Sequence, residues 1–507
     1  MAAQDDTRRR IRRAAAVVLV RDGEAGQELF WVRRSAEVSL GGGFHAFPGG
    51  RVDPADAALA AGAARPAGMD DDGATARVTA LRELFEETGV LPGWDPSRVA
   101  PDVAVEARRA LLADALSFDA ALQRLEARPD LGALSPAGRW ITPPFVPVRF
   151  DAEFFVARLP FGQRADVWPG ELVSGEWITP RAALLRWAEG AALLHPPALH
   201  LLRCLEAAPW PACSRALLDQ PGVRAHVPLT MEFQAGLRLV PLRTPTLPPA
   251  THTHCYILGG DELIVVDPGP PDPDEQRLLF DFCDTLRAEG RAFREIVLTH
   301  EHVDHVGAAE ALRARLGVPL RAHAETERRL RGHVTVDGLV DDGERIELRG
   351  DPPQSWRAVF TPGHARGHLC LFEERTRALV AGDMLAGIGT VVIPSSPEGD
   401  MSDYVASLER LLRLEPRTVY PAHGPVIVDG PGKLREYVAH RAERERAVAA
   451  ALAAAGRARP EDLVPGVYTD VPASAHALAA HSLRAVLDKL VKEGRARRDE
   501  HGLYAVA

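Results

Sequence analysis

The stretch that decides the fold lies just past the middle of the chain, at residues 298–307. It reads Leu298-Thr299-His300-Glu301-His302-Val303-Asp304-His305-Val306-Gly307. An aliphatic, β-branched run precedes it, so the cluster is expected at the carboxyl end of a buried strand. Four metal-capable side chains within six residues are far beyond chance for a chain with 18 histidines. Neutral imidazole and carboxylate are ligands that Zn²⁺ accepts. His300 and His302 alternate and can bind one ion, whereas Asp304 and His305 turn toward a neighbouring site.

Three later residues complete a ligand set. Each follows a short apolar strand and lies in a turn with Gly or Pro nearby; they are His364, Asp383 and His423. Five histidines and two aspartates suffice for two metals bridged by a carboxylate. Two such ions lower the pKa of a bridging water toward neutrality and stabilise a developing oxyanion.

This order of ligands, H-x-H-x-D-H followed by H, D and H, resembles the metallo-β-lactamase superfamily over residues 236–430. Asp267, in Val265-Val266-Asp267-Pro268-Gly269, matches the early Asp-x-Gly turn of that family. The resemblance implies an αββα sandwich with two zinc ions and Asp383 as the bridge. The first zinc would be bound by His300, His302 and His364, and the second by Asp304, His305 and His423.

Neighbouring histidines need separate treatment. His252 and His254 form another H-x-H, but no Asp or third His follows at a useful spacing, so a ligand role is not expected. His368 follows His364 by four residues and could serve as an outer contact, a substrate contact or a core residue. Cys255 and Cys370 lie in apolar runs and are interpreted as core residues.

A second group of chemical residues lies in Arg82-Glu83-Leu84-Phe85-Glu86-Glu87-Thr88-Gly89-Val90. If this segment is a helix that ends at Gly89, Glu83, Glu86 and Glu87 project from one face. Clustered carboxylates repel one another, and a hard divalent cation such as Mg²⁺ or Mn²⁺ removes the repulsion. A solvated acidic helix face is the alternative.

The segment matches the second half of the Nudix box, R-E-U-x-E-E-x-G-U, at every fixed position, where U is aliphatic. Phe47–Asp56 resembles the first half, with Gly50 as its glycine and Asp56 where a glutamate is usual. Arg82 follows Asp56 by 26 positions, which implies an insertion of 18 residues. This insertion resembles the coenzyme A diphosphatase type of Nudix protein, and the resemblance covers roughly residues 12–208.

The Nudix resemblance implies Mg²⁺ or Mn²⁺ held by Glu83, Glu86 and Glu87, with Glu83 or Glu87 assisting the attacking water. The substrate would be a nucleoside diphosphate linked to another group, such as coenzyme A. A catalytically silent domain that senses a nucleotide is the alternative.

The third segment has apolar positions at helical spacing from Ser482, stops at Gly494 and continues as a basic turn and a short strand. This pattern is typical of winged-helix modules. Residues 433–507 carry 13 Lys or Arg and 10 Asp or Glu, so the segment is only mildly basic. Contact with nucleic acid and packing against the hydrolase domain are left as equal alternatives.

The domain order resembles the β-lactamase-like protein 2 group, which includes endonucleases of single-stranded RNA. We therefore expect an enzyme, a binuclear metal-dependent hydrolase in which a metal-bound hydroxide attacks the substrate. Phosphodiester cleavage in single-stranded RNA is the first expectation. The alternative is thioester hydrolysis of the hydroxyacyl-glutathione or acyl-coenzyme A type.

Length and composition bound these expectations. The 507 residues predict about three domains. We expect a multidomain α/β and α+β chain: a Nudix-like α/β/α sandwich at 1–210 with an insertion near 57–78, a linker at 211–235, a metallo-β-lactamase αββα sandwich at 236–430 and a winged-helix domain at 431–507. The net charge of −10 argues against a globally basic nucleic-acid coat.

Five scattered cysteines without a C-x-x-C pair fit a reducing cytoplasm. The apolar run Ala14–Val20 is too short to span a membrane and is interpreted as a buried strand. The expected partners are a small phosphorylated metabolite or single-stranded RNA, with no membrane contact. A homodimer is left open.

Overall fold

The computed structural model describes residues 11–38, 41–143, 148–219, 231–469 and 476–507. These residues form two compact units, the first ending at Ala235 and the second running from Gly236 to Ala507. No helix among the described residues combines the length and the apolar character that a membrane span requires.

The first unit alternates strands and helices. Its strands are β1 (Arg12–Gly23), β2 (Gly26–Arg34), β3 (His45–Ala46), β4 (Gly49–Arg51), β5 (Ser135–Ile141), β6 (Phe150–Arg158), β7 (Leu172–Ile178) and β8 (Met231–Gln234). Its helices are α1 (Pro54–Gly62), α2 (Asp71–Thr88), α3 (Pro101–Leu112), α4 (Phe118–Arg124), α5 (Pro180–Ala188), α6 (Pro196–Ala207) and α7 (Ser214–Leu218).

Strand β1 lies at the centre of the first sheet, whose order is β3-β2-β1-β6-β5, with β4 paired to β1 and β7 to β2. It runs antiparallel to β2 and parallel to β6. Successive side chains of a strand point to opposite faces. Val17 and Leu19 accordingly pack in the cluster that contains Leu81 of α2, and Val18 packs in the cluster that contains Trp187 of α5. Helices therefore cover both faces, which gives an α/β/α sandwich.

Two segments predicted as an insertion and as a linker contain regular elements. The expected insertion at 57–78 includes most of α1 and the start of α2. Asp53 caps α1 through its side chain, and Ala60 is buried. A helix forms here because capping and a single buried face suffice without strong periodicity. The linker expected at 211–235 contains α7 and β8, and its residues 220–230 lie outside the described part of the chain.

The second unit has more elements. Its strands are β9 (Leu237–Arg243), β10 (His252–Gly259), β11 (Glu262–Val266), β12 (Ala292–Val297), β13 (Leu320–Ala322), β14 (Gly338–Leu339), β15 (Arg345–Leu348), β16 (Gln354–Phe360), β17 (Leu369–Glu373), β18 (Ala378–Gly382), β19 (Thr418–Pro421), β20 (Arg457–Ala458), β21 (Ala496–Arg498) and β22 (Tyr504–Val506). Its helices are α8 (Pro273–Ala288), α9 (Val303–Val306), α10 (Ala309–Leu316), α11 (Ala324–Leu330), α12 (Met401–Leu414), α13 (Gly430–Ala455), α14 (Pro460–Val467) and α15 (His476–Lys492).

Two sheets face each other in this unit. One has the order β14-β13-β12-β11-β10-β9, and the other has the order β15-β16-β17-β18-β19. Ile257 of β10 packs with Leu279 of α8 on the outer face of the first sheet. Tyr256 points to the inner face, where its ring centroid lies 6.2 Å from that of Tyr420 on β19. Leu379 of β18 packs outward against α12 and α13. The layers are therefore helix, sheet, sheet, helix.

The C-terminal helices and a small sheet of order β20-β22-β21 follow. Leu483 and Leu487 of α15 and Tyr504 of β22 belong to the same buried cluster as Leu408 of α12. The last segment therefore shares its core with the outer helices of the αββα sandwich.

Candidate metal centre

The seven predicted ligands of the second unit come together at one edge of the two sheets. His300 and His302 follow β12, Asp304 and His305 lie on the short helix α9, and the others follow β16, β18 and β19. The carboxyl ends of these strands meet at one edge, so residues far apart in sequence become neighbours. Three groups of possible ligand atoms result, and within each group all atoms lie within 4.8 Å of one another; two groups consist of predicted ligands, and the third joins Asp267 to His300 and His305.

The first group contains His300, His302, His364 and Asp383. His302 Nδ1 lies 3.0 Å from His300 Nε2 and 3.0 Å from His364 Nε2. Asp383 Oδ2 lies 3.4 Å from His364 Nε2. Three imidazole nitrogens and a carboxylate oxygen converge on one point, which is the arrangement a divalent cation requires.

The second group contains Asp304, His305 and His423. Asp383 Oδ1 lies 3.2 Å from His423 Nε2 and 3.5 Å from His305 Nε2. Asp383 therefore contacts one group through Oδ2 and the other through Oδ1, a position from which it would reach both predicted cations. His305 Nε2 and Asp383 Oδ1 are buried atoms without a hydrogen-bond partner. Such orphaned polar atoms fit a bound cation.

Four of the histidines are oriented by a hydrogen bond from Nδ1, which leaves Nε2 for the metal. The acceptors are a hydroxyl, a carboxylate and two backbone carbonyls: Thr299 Oγ1 for His300 at 2.9 Å, Asp267 Oδ2 for His305 at 2.8 Å, Val392 O for His364 at 2.8 Å and His252 O for His423 at 3.1 Å. Carboxylate and carbonyl oxygens only accept, so the hydrogen is on Nδ1 in those three histidines.

Asp267 connects two of these orienting contacts. Its carboxylate accepts from Thr299 N at 2.7 Å and Thr299 Oγ1 at 2.6 Å, as well as from His305. The residue adopts a left-handed backbone conformation, with φ of 52°, which Asp tolerates better than most residues. The early Asp-x-Gly turn therefore serves to aim the ligand-bearing segment after β12.

Burial and charge set the protonation of the ligands. Burial lowers the pKa of His302 to about 3 and that of His300 well below its usual value, so both imidazoles are neutral at pH 7. For His305, burial lowers the pKa, but the carboxylates of Asp304, Asp383 and Asp267 raise it well above its usual value. The second group thus has an excess of negative charge that a cation would compensate.

The remaining histidines have other roles. His368 is fully buried; its Nε2 accepts from Asp383 N at 3.1 Å and its Nδ1 contacts Thr361 Oγ1 at 2.9 Å, so it is an outer contact of the bridge. His254 Nδ1 contacts Pro421 O at 3.1 Å, and His252 contributes its carbonyl. Neither belongs to a ligand group formed by the described residues.

Sequence reasoning missed Thr253. Its hydroxyl donates to Asp304 Oδ2 at 3.1 Å and contacts Thr244 Oγ1 at 2.6 Å. The only available signal was its place between two histidines on a strand that leads to the ligand edge.

In the first unit, helix α2 carries the three predicted glutamates. Asp70 caps its start, and Gly89 ends it in a left-handed conformation with φ of 74°. The Glu87 carboxylate accepts from Gly49 N at 2.9 Å. A Cβ on Gly50 would lie 2.4 Å from Glu83 Oε1, so any larger residue would displace the Glu83 carboxylate from this position.

Arg82 holds this site together. Its guanidinium makes a bidentate contact with Asp56, at 2.8 and 3.0 Å, and contacts Glu83 at 2.9 Å and Glu86 at 3.1 Å. Asp56 is buried and also accepts from Thr79 Oγ1 at 2.8 Å. The aspartate therefore reaches the arginine despite its shorter side chain and the long insertion between them.

The glutamates are difficult to ionise without a cation. Burial raises the pKa of Glu83 to about 7, and burial together with the charge of Glu83 raises the pKa of Glu87 to about 8. Clustered, desolvated carboxylates fit a divalent metal. The tight ligand groups formed by described residues nevertheless all lie in the second unit. In the first unit, Arg82 pairs with Glu83 and Glu86.

Comparisons with known proteins agree with these three parts. Family models match for the metallo-beta-lactamase superfamily at 248–423, the beta-lactamase associated winged helix domain at 460–503, the NUDT19 Nudix domain at 61–205 and the NUDIX domain at 10–108. A solved metallo-beta-lactamase family protein from Thermus thermophilus is 25% identical with a TM-score of 0.46, covering 54% of this chain and 99% of its own.

Two curated relatives are informative. The beta-lactamase-like protein 2 homolog of Caenorhabditis elegans is 31% identical over 249 residues, which are 48% of this chain and 79% of the relative. The atrochrysone carboxyl ACP thioesterase of Claviceps purpurea is 31% identical over 226 residues, 43% of this chain and 66% of the relative.

The fold and the site define a metal-dependent hydrolase. The chain belongs to the metallo-β-lactamase superfamily, in the family of beta-lactamase-like protein 2 homologues, and carries an N-terminal Nudix domain and a C-terminal winged helix domain. The predicted families and their order are thereby confirmed. The coenzyme A diphosphatase subtype stays a prediction.

Proposed function

We propose that the metal centre of the second unit hydrolyses thioesters with two Zn²⁺ ions. Its donor set of five imidazoles and two carboxylates suits zinc. A relative of this unit is named as a thioesterase. His300, His302 and His364 would hold one ion, Asp304, His305 and His423 the other, and Asp383 both.

Individual residues have distinct roles at this metal centre. When bound, the two cations polarise the substrate carbonyl and lower the pKa of a water molecule. Neutral His300 and His302 supply lone pairs, because burial keeps them unprotonated. Thr253 holds one oxygen of Asp304, so this carboxylate has a fixed orientation beside His423, 3.5 Å away.

The observation that favours a thioester over RNA concerns the winged helix domain. Three of its basic side chains are engaged in ion pairs of the second unit: Lys489 lies 2.6 Å from Glu445, Arg495 also pairs with Glu445, and Lys492 pairs with Asp400. RNA affinity depends on free cationic groups that neutralise phosphates. Together with the shared apolar core, this pairing supports the packing alternative for the domain.

The test uses the purified full chain loaded with Zn²⁺. Acyl-coenzyme A and hydroxyacyl-glutathione are assayed by thiol release, with labelled single-stranded RNA in parallel. We expect thiol release that Asp304→Ala abolishes and that the exposed control Asp274→Ala retains. RNA cleavage that is lost in Asp304→Ala, with the thioesters intact, would replace this proposal by the nuclease function.

A second activity is favoured by the contacts of Arg82 in the first unit. We propose that Glu83, Glu86 and Glu87 bind Mg²⁺ or Mn²⁺ and support cleavage of a nucleoside diphosphate linked to another group. Arg82 pairs with Asp56 and also contacts Glu83 and Glu86, so it holds the carboxylates of this helix face close together. Coenzyme A is an attractive substrate, because its acyl form contains both a thioester and a diphosphate.

The variant Glu86→Gln distinguishes hydrolysis at this site from nucleotide binding without catalysis. Mg²⁺-dependent cleavage of coenzyme A that this variant loses, and that the exposed control Glu106→Gln keeps, would establish catalysis. Nucleotide binding without turnover in the wild type would establish the silent sensor instead.

A further inference from the structure

A loop at residues 384–399 follows the bridging Asp383 and is held by buried side chains of two helices. Tyr404 of α12 donates its hydroxyl to Met384 O at 2.8 Å. Tyr437 of α13 accepts from Ala386 N at 3.1 Å. Both tyrosines are buried, so these contacts are shielded from water.

Arg441 of α13 is the third and most unusual of these side chains. It is 8% exposed, and it donates to Val391 O at 2.8 Å. Its Nε has no hydrogen-bond partner, and its guanidinium lies 5.1 Å from the centroid of the Tyr404 ring. A buried charged group with an unsatisfied donor costs stability, and for Arg441 the hydrogen bond to Val391 O and the contact with the Tyr404 ring offset part of this cost.

The carbonyl next to the one held by Arg441 orients a metal ligand. Val392 O accepts from His364 Nδ1 at 2.8 Å. The rigid peptide plane that carries Val391 O ends at the Cα of Val392, so only the two backbone dihedral angles of Val392 separate the two carbonyls. Fixing Val391 O therefore restricts the direction of Val392 O. We propose that Arg441 is a positioning residue that keeps His364 Nε2 aimed at the first ligand group.

The C-terminal segment thereby acts on the metal centre through its backbone contacts. Without the guanidinium, the 391–392 peptide loses its anchor and the His364 ring loses a fixed acceptor. Ring orientation and the site of the ring hydrogen then vary, and Nε2 presents its lone pair less often. The inference rests on the proposed metal-dependent function. Cation affinity nevertheless measures the effect of Arg441 on His364 directly, whatever the substrate is.

The test measures Zn²⁺ affinity of the metal-depleted full chain by competition with a chromophoric chelator. Arg441→Met keeps the length of the side chain and removes its donors; Arg446→Met, exposed on the same helix, is the matched control. We expect Zn²⁺ to bind at least about tenfold more weakly in Arg441→Met, with no change in the control. Arg441→Lys should recover most of the affinity, because its ammonium can donate to the same carbonyl.

Activity gives a second readout that a purely structural role would not change. In Arg441→Met at saturating Zn²⁺, kcat should fall while KM stays constant. Zn²⁺ affinity within about twofold of the wild type, or an Arg441→Lys variant as weak as Arg441→Met, would overturn the proposal. If Arg441→Met does not fold, Arg441→Gln is used instead: its shorter, uncharged side chain does not reach Val391 O in the same place, and Zn²⁺ should again bind about tenfold more weakly. An unchanged affinity there would equally overturn the proposal.

Discussion

Replacing Asp267 by Asn tests whether this residue determines which ring nitrogen of His305 carries the hydrogen. Asn tolerates the left-handed backbone at this position, so the turn is retained. The carboxylate accepts three hydrogen bonds, from Thr299 N, Thr299 Oγ1 and His305 Nδ1. An amide offers one oxygen and one NH₂ group, and the backbone N–H of Thr299 can only donate. The amide oxygen must therefore stay with Thr299 N, and the NH₂ group faces His305 Nδ1.

His305 can relieve this donor-to-donor contact only by moving its ring hydrogen to Nε2, the atom that belongs to the second ligand group. A hydrogen bond to a charged group is worth about 1.5–3 kcal/mol. At about 1.4 kcal/mol per factor of ten, the second cation should bind about 10- to 150-fold more weakly in Asp267→Asn.

The assay is a Zn²⁺ titration of the metal-depleted chain by calorimetry, which separates the two binding steps. The exposed Asp274→Asn is the control and should match the wild type. Two binding steps of wild-type affinity in Asp267→Asn would refute the reasoning, because they would show that the tautomer of His305 does not depend on Asp267.

Other predictions concern the first unit and the winged helix domain. In the metal-depleted protein the pKa of Glu87 is raised from 4.5 to about 8, so the folded state keeps a proton that the unfolded state has released. The Tm should therefore fall as the pH rises from about 4.5 to about 8, and Glu87→Gln should flatten this dependence. Asp56→Ala should lower the free energy of unfolding by about 3 kcal/mol, measured with urea, because it leaves the Arg82 guanidinium without its bidentate partner. RNA binding followed by fluorescence anisotropy should weaken by less than about tenfold between 50 and 200 mM salt, since Lys489, Lys492 and Arg495 are already paired with carboxylates.

Each of these has a clear contrary outcome. A Tm that rises with pH over the same interval would show that Glu87 ionises freely. If Asp56→Ala lowers the free energy of unfolding no more than the exposed Asp72→Ala does, the pair of Asp56 and Arg82 has no special structural role. A steep salt dependence of RNA binding would show free cationic groups on the winged helix domain.

The metal ligands could be predicted because their chemistry is visible in side chains. His300, His302, Asp304 and His305 are nearly contiguous, and Asp383 directly follows a fully apolar strand. Parallel strands bring such ends to one edge, so spacing and strand pattern suffice to group them. The glutamates of α2 could be predicted for the same reason, since i, i+3 and i+4 positions share a helix face.

The orienting contacts could not be predicted in the same way. His252 O and Val392 O are backbone atoms, and any residue supplies a carbonyl. Arg441 lies 77 positions after His364, in a helix whose pattern gives no reason to place it near the ligands. Helix α1 in the expected insertion could not be predicted either, because it depends on the cap from Asp53 rather than on apolar periodicity.

The metal centre of the second unit is expected to hydrolyse a thioester independently of the Nudix site. The most direct measurement is thiol release from acyl-coenzyme A as Zn²⁺ is added to the metal-depleted chain. Activity should appear as two equivalents are bound, persist in Glu87→Gln and be absent in Asp383→Asn at any Zn²⁺ concentration. Thiol release in Asp383→Asn equal to that of the wild type, or release before any metal is added, would contradict the account.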